Sequence, residues 1–247
     1  MNYLALATDY DGTIATHGVV DDDTLDALRR CRAAGRKLLL VTGRELESLA
    51  ATFKHFELFD LMVLENGALI YEPATGRERP LCDPPAERFV RALRAREVHP
   101  LSVGRVIVAT FEPHEQAVLA AIHEQGLEYQ VIFNKGAVMV LPSGVNKATG
   151  LKEALAELAI PPERTVAVGD AENDHALLEL CGVGAAVANA LPALKERADV
   201  VTARDHGAGV SEVIDRMLAG TLRPHPRRAP VAARHLGDTG ADVHPDA

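Results

Sequence analysis

The chain is poor in aromatic side chains, in cysteine and in positive charge, and each shortage removes a class of protein. Aromatics make up 4% of the 247 residues and tryptophan is absent, which argues against base-stacking platforms and aromatic cages. The three cysteines, Cys31, Cys82 and Cys181, are far apart and in no Cys-x-x-Cys pair. They suit neither a disulfide framework nor a zinc site, and a reducing cytoplasm is the expected location. Lys and Arg number 26 against 35 Asp and Glu, a formal charge of −9. Binding to nucleic acid or to an anionic membrane needs clustered positive charge, so neither partner is expected. The acid excess reflects cation binding or solubility. No uncharged apolar run approaches the ~18 residues of a membrane span. The opening MNYLALATDYDGT lacks a basic region and meets an acid at Asp9, so a signal peptide is not expected. What remains is ordinary globular composition, 47% hydrophobic and 25% charged, with room for one large domain or a core with an insert.

Along the chain, short apolar runs alternate with helical patterns. Tyr3–Thr8 reads as a buried strand ending in acids and glycine. A helix follows from Asp22, started by Asp21 to Asp23 and stopped by Gly35, and then a strand over Lys37–Val41. This is a βαβ unit with parallel strands. A helix over Arg44–Lys54 precedes strands Leu61–Leu64 and Ala68–Tyr71, separated by an Asn66-Gly67 turn. Glu72–Pro85 carries four prolines and reads as a linker. Beyond it the pattern predicts helix Ala86–Glu97, strand Arg105–Phe111, helix Pro113–Gln125 and strands Tyr129–Phe133 and Ala137–Leu141. The βα alternation then resumes with helix Lys147–Leu158 and strand Thr165–Val168 and continues to a last helix ending near Leu218. Residues 221–247 hold four prolines and little apolar periodicity, and read as a disordered tail or linker.

Four motifs fall at the predicted strand ends. Asp9-Tyr10-Asp11-Gly12-Thr13 places two carboxylates two residues apart after a buried strand, at the edge where parallel sheets bind ligands. Such acids repel unless a cation or proton intervenes, and hard oxygen donors without His or Cys suit Mg²⁺. The alternative is a polar strand-to-turn junction in which Gly12 takes the special backbone angles. Val41-Thr42-Gly43-Arg44 puts a hydroxyl and backbone amides at a helix start, suited either to a phosphate oxygen or to plain helix capping. Lys147 sits at a helix N-terminus, where the macrodipole disfavours it unless it neutralises an anion; the alternative is a solvated lysine. Gly169-Asp170-Ala171-Glu172-Asn173-Asp174 again follows a strand. Asp170 can complete a metal site with Asp9, Asn173 can donate to a phosphate and Asp174 can pair with Lys147.

In this order the four motifs resemble those of haloacid dehalogenase superfamily phosphatases, in the subfamily IIB branch whose cap is inserted between the second and third motifs. The resemblance covers the chain to about Gly220. It implies an α/β fold: a Rossmann-like three-layer α/β/α core with a parallel sheet (residues 1–72 and 142–220) and a small α+β cap domain (residues 73–141). It also implies that Asp9 attacks phosphorus to form an aspartyl-phosphate, with Asp11 as general acid and base. It assigns Mg²⁺ to Asp9, the Asp11 carbonyl and Asp170, and phosphate contacts to Thr42, Gly43, Lys147 and Asn173. Having Asp at position 11 favours hydrolysis or mutase chemistry over transport ATPase chemistry. Glu65-Asn66-Gly67 resembles a motif at the rim of the site, which makes Asn66 a candidate substrate contact beside its role in the turn. Arg44 is a second candidate substrate contact or a surface arginine. Asn189-Ala190 and His206-Gly207 read as structural.

The short insert resembles that of archaeal-type phosphoglycolate phosphatases more than the larger caps of sugar-phosphate phosphatases, pointing to a small phosphorylated metabolite as substrate. Arg105, Asn134 and Lys135 are its candidate ligand contacts but look no different from surface residues. The competing readings are a phosphomutase with the same intermediate and a non-catalytic phosphate-binding regulatory module. Either a monomer or a homodimer is compatible with the sequence.

Overall fold

The structure, a computed structural model, describes residues 3–224. The main sheet is built from β1 (Ala5–Thr8), β2 (Lys37–Val41), β3 (Leu61–Leu64), β4 (Leu69–Glu72), β5 (Arg77–Pro80), β10 (Thr165–Gly169), β11 (Val183–Ala186) and β12 (Val200–Val201). Their order across the sheet is β12-β11-β10-β1-β2-β3-β4-β5. All neighbours are parallel except the β3–β4 and β4–β5 pairs. The central strands are uninterrupted apolar runs because both faces are covered by helices; Leu38, Leu39 and Leu40 are all fully buried.

Helices α1 (Asp22–Ala33) and α8 (His206–Leu218) pack on each other, as do α5 (Lys147–Glu157) and α6 (His175–Leu180). The β1-α1-β2 crossover runs one way across the sheet and β10-α6-β11 runs the other. With right-handed crossovers this sets the two helix pairs on opposite faces. It also makes the gap between the carboxyl ends of β1 and β10 the switch point of the sheet, where open α/β folds place their ligands.

A second, antiparallel sheet has the order β6 (Ser102–Val103), β7 (Val108–Phe111), β9 (Ala137–Pro142), β8 (Tyr129–Asn134). Helices α3 (Glu87–Ala95) and α4 (Glu115–Gln125) cover one face, on a core that includes Phe89, Val118, Val138 and Val140. Alternate residues Met139 and Leu141 join Ala68, Val106 and Val145 in a separate cluster, as the two-residue period of a strand requires.

The structure departs from the sequence reading in three places. The segment read as a linker contains β5, which extends the main sheet beyond residue 72. Its sequence, Arg-Glu-Arg-Pro, lacks apolar residues because it is a solvent-facing edge strand, where charge and proline are tolerated. Short β6 lies between the predicted elements. Leu222, within the predicted tail, is fully buried in the main core; Arg227, Arg228 and Arg234, also assigned to the tail, lie outside the described residues. Among the described residues no helix is long and apolar enough to cross a membrane.

One contact ties the two sheets together. The turn Glu65–Gly67 follows β3, and the buried Glu65 carboxylate accepts backbone N–H bonds from Arg105 (2.7 Å), Val106 (2.7 Å) and Ile107 (2.9 Å) of the β6–β7 turn. A carboxylate satisfied by three amides holds the second sheet over the site. Glu65→Gln turns an N–H₂ group toward one of those amides. A urea melt should show a loss of about 1–3 kcal/mol, and unchanged stability would mean that the latch carries no load.

Candidate active site

Asp9 follows β1 and is only 4% exposed. Its Oδ1 accepts from Lys147 Nζ at 2.6 Å and its Oδ2 from Thr13 Oγ1 at 3.0 Å. The same ammonium donates to Asp174 Oδ1 at 2.7 Å. Asp174 Oδ2 accepts from the backbone N–H groups of Asp170 (2.9 Å) and Ala171 (3.0 Å), so the loop after β10 is wound around that carboxylate. Thr13 Oγ1 also lies 3.2 Å from Asp170 Oδ1, bridging the loops after β1 and β10. Gly12 is left-handed at φ 88°, and a side chain there would run into Asp170 Oδ2, so both conformation and space require glycine.

Lys147 opens α5, whose cap Asn146 accepts from the amides of Ala148 and Thr149. An ammonium at this end of a helix opposes the macrodipole, and the two buried carboxylates compensate. Burial disfavours its charge, but Asp174 and Asp9 outweigh that and hold its pKa above the usual lysine range. For Asp9 the balance falls the other way. Burial, reinforced by the Asp174 and Asp170 charges, overcomes Lys147 and lifts its carboxyl to about 7.

Asp11 is gripped by Arg44, with Nε to Oδ2 at 2.6 Å and Nη2 to Oδ1 at 2.7 Å. The guanidinium in turn lies 5.2 Å from the centre of the Tyr10 ring, a cation–π contact that helps fix its plane. Thr42 is buried at the end of β2, and its hydroxyl accepts from the Arg44 amide at 3.2 Å, a local cap. Asn173 Nδ2 donates to Asn66 Oδ1 at 3.0 Å. Asn66 Nδ2 and Asn173 Oδ1 are buried without a partner among the described residues, which leaves amide capacity next to the cluster. Asn66 itself is left-handed at φ 56°, the turn conformation that asparagine tolerates.

The structure thus brings Asp9, Asp11, Thr42, Gly43, Arg44 and Lys147 to one cavity of about 490 Å³ between the two sheets. Asp170 and Asp174 support it from below through Thr13 and Lys147, and Asn66 and Asn173 form a pair of their own. Three further residues complete the surroundings of the site: Asn189 and His206, which the sequence offered as structural, and Lys135, which it offered as a candidate ligand contact of the insert. Asn189 Nδ2 donates to the Gly12 carbonyl at 2.7 Å and His206 Nδ1 lies 2.9 Å from the same oxygen, so both brace the loop that carries the two acids. Lys135, from the turn between β8 and β9, donates to the Asp11 carbonyl (2.9 Å) and to Asp170 Oδ2 (2.8 Å). The Asn134-Lys135-Gly136 turn signal located the hairpin; nothing in the sequence showed how far the lysine reaches.

Ligand oxygens of Asp9, Asp170 and Asp174 lie within 4.8 Å of one another. Asp174 is already committed to Lys147 and two amides, which leaves Asp9, Asp170 and the Asp11 carbonyl as oxygen donors for a divalent ion. The Lys135 ammonium shows that two of these oxygens accommodate a cation. An all-oxygen donor set fits Mg²⁺ better than a soft metal.

A doubly wound sheet with facing acids at its switch point, a buried lysine between them and a second sheet above is an arrangement suited to phosphoryl transfer. A family model for haloacid dehalogenase-like hydrolases matches residues 6–105 and 94–214, and the chain belongs to that family. It is 32% identical over 232 residues to "Phosphoglycolate phosphatase 2" of Saccharolobus solfataricus, covering 90% of this chain and 95% of the relative. It is 31% identical to a phosphoglycolate phosphatase of Methanothermobacter thermautotrophicus, covering 87% and 98%. Among solved structures, a haloacid dehalogenase subclass IIB sugar phosphatase superposes with a TM-score of 0.68 at 21% identity, covering 88% of this chain and 99% of that one. That likeness concerns the fold.

Proposed function

We propose that the chain is a Mg²⁺-dependent phosphatase that hydrolyses a small phosphorylated metabolite of the phosphoglycolate type through an aspartyl-phosphate on Asp9. The observation that carries this reading is the buried chain Asp9–Lys147–Asp174, with bonds of 2.6 and 2.7 Å at the floor of the cavity, and Asp11 beside it. The names of the archaeal relatives support the substrate class.

In this mechanism an Asp9 carboxylate oxygen bonds to phosphorus while the bond from phosphorus to the leaving oxygen breaks. Asp11, once protonated and freed from the two-bond grip of Arg44, gives its proton to that oxygen. Water then adds to phosphorus as Asp11 takes back a proton, and the Asp9–phosphorus bond breaks to release phosphate. Lys147 offsets the charge of the nucleophile and phosphoryl group from below. Thr42, Gly43 and Asn173 would bind the phosphoryl oxygens, the last through the Asn66–Asn173 amide pair. Mg²⁺ held by Asp9, the Asp11 carbonyl and Asp170 would supply further charge neutralisation to the phosphoryl oxygens. Most of the catalysis is therefore positioning and electrostatics, as phosphoryl transfer requires.

A panel of phosphoglycolate, hexose phosphates, nucleotides and cofactor phosphates, assayed for phosphate release, tests this. Turnover should be highest on phosphoglycolate, vanish in EDTA and return with Mg²⁺. No release from any ester, or release indifferent to EDTA, contradicts the reading.

A further inference from the structure

We propose that Lys135 is the residue with which the insert selects a substrate whose leaving group carries a negative charge, such as the carboxylate of a short phosphorylated hydroxy acid. This rests on the phosphatase reading above and adds to it the residue that sets specificity.

Three observations converge on Lys135. First, the insert contributes nine of the described residues lining the cavity, and Lys135 is the only one that carries a charge. The others facing the leaving group, among them Ala109, Phe111 and Met139, are mostly apolar. With Asp170 engaged by a divalent ion, a neutral polyol would offer the ammonium no counter-charge, whereas a single carboxylate would pair with it.

Second, the lysine sits where a lysine is unfavourable. The pair Asn134↔Ala137 closes a two-residue hairpin loop of Lys135 (φ 50°) and Gly136 (φ 82°). Both central residues are left-handed, the geometry for which hairpins usually choose Asn-Gly or Asp-Gly. Accepting a long cationic side chain there costs backbone strain, and strain of this kind concentrates at functional positions. The short loop also fixes the base of the side chain at the cavity wall.

Third, the ammonium is held by replaceable partners. Its two acceptors, the Asp11 carbonyl and Asp170 Oδ2, are also donors suited to a divalent ion. Two cations do not share the same pair of oxygens at hydrogen-bond distance, because at that separation their repulsion exceeds what either gains. An ion bound there obliges Lys135 to let go while its stem stays anchored at the hairpin. The Asp11 carboxylate is occupied by Arg44, so apart from solvent and Glu45 at the cavity wall the acceptor open to Lys135 is one that the substrate brings. Metal loading and leaving-group recognition are then linked through one side chain.

The test uses the full chain as wild type, Lys135→Met and Lys135→Arg. Magnesium is titrated into each protein by calorimetry without substrate, and kcat and KM are measured for phosphoglycolate and for ethyl phosphate, which has the same length but no carboxylate. At saturating magnesium, KM of Lys135→Met for phosphoglycolate should rise about 10–100-fold with kcat within about threefold, while ethyl phosphate changes by less than about twofold. Magnesium should bind several-fold more tightly to Lys135→Met, and Lys135→Arg should keep part of the preference for the acid. An equal loss on both esters, or an unchanged ratio between them, would overturn the proposal, as would a magnesium affinity the same in wild type and Lys135→Met. Failure of the phosphatase reading has another signature: wild type then binds magnesium but releases phosphate from neither ester, and the specificity role falls with it.

Discussion

Asp9→Asn is expected to lower phosphate release by at least about 10⁴-fold and, in buffer containing a chelator at pH 8, to raise the melting temperature. The loss follows from removing the attacking oxygen. The gain follows from where Asp9 lies: burial and the neighbouring carboxylates hold its acid form to about pH 7, against about 3.9 in an unfolded chain. A carboxyl that binds its proton more tightly when folded favours the folded state below its unfolded pKa. That advantage is lost progressively between about pH 4 and pH 7, and the full penalty persists above 7. A neutral asparagine avoids the penalty, so the variant should melt about 3–6 °C higher at pH 8 and lose that advantage near pH 4. Retained turnover would remove Asp9 from its assigned role. A variant less stable at pH 8 than wild type would mean that the bond from Lys147 outweighs the burial.

Lys147→Met should have the opposite effect on stability. One ammonium serves both Asp9 and Asp174, and all three groups are buried. Removing the cation leaves two carboxylates in a poorly solvated site, a defect of about 3–5 kcal/mol, or roughly 10 °C in melting temperature for a chain of this size. The damage spreads because Asp174 also organises the loop amides of Asp170 and Ala171, so magnesium affinity should fall together with turnover. Melting the double variant Asp9→Asn with Lys147→Met completes the comparison. It should be less destabilised than the sum of the single changes predicts, since the asparagine has already removed one stranded charge. Strict additivity would show that the two residues do not act on each other.

The parts of this molecule visible in its sequence are those governed by local rules. The central strands declare themselves as apolar runs such as Leu38–Val41 because helices cover both sheet faces. The acids after β1 and β10 are legible because they stand at strand ends. Strand β5 was hidden because its exposed edge position leaves no hydrophobic pattern in Arg77–Pro80. The reach of Lys135 was hidden for a different reason: its partners are brought to it only when the second sheet lies over the first. The same holds for Glu65, whose three amide partners come from a turn of the insert, and for the brace of Asn189 and His206 on Gly12. Such contacts join segments of unrelated sequence, so neither composition nor periodicity records them.

The place of β1 in the main sheet has a kinetic consequence. On one side it pairs with β2, whose Lys37 register lies within reach of a short crossover; on the other it pairs Ala5 with Thr165 across the whole insert. Closing the second pair confines a far longer loop, so it carries the larger entropy cost and is expected to follow the first in assembly. Until it closes, Asp9 and Asp11 sit at the rim of a half-sheet, hydrated and without Asp170 or Asp174 beside them. On that order the repulsion among the acids would arise only when β10 docks beside β1, with the surface that this pairing buries there to offset it.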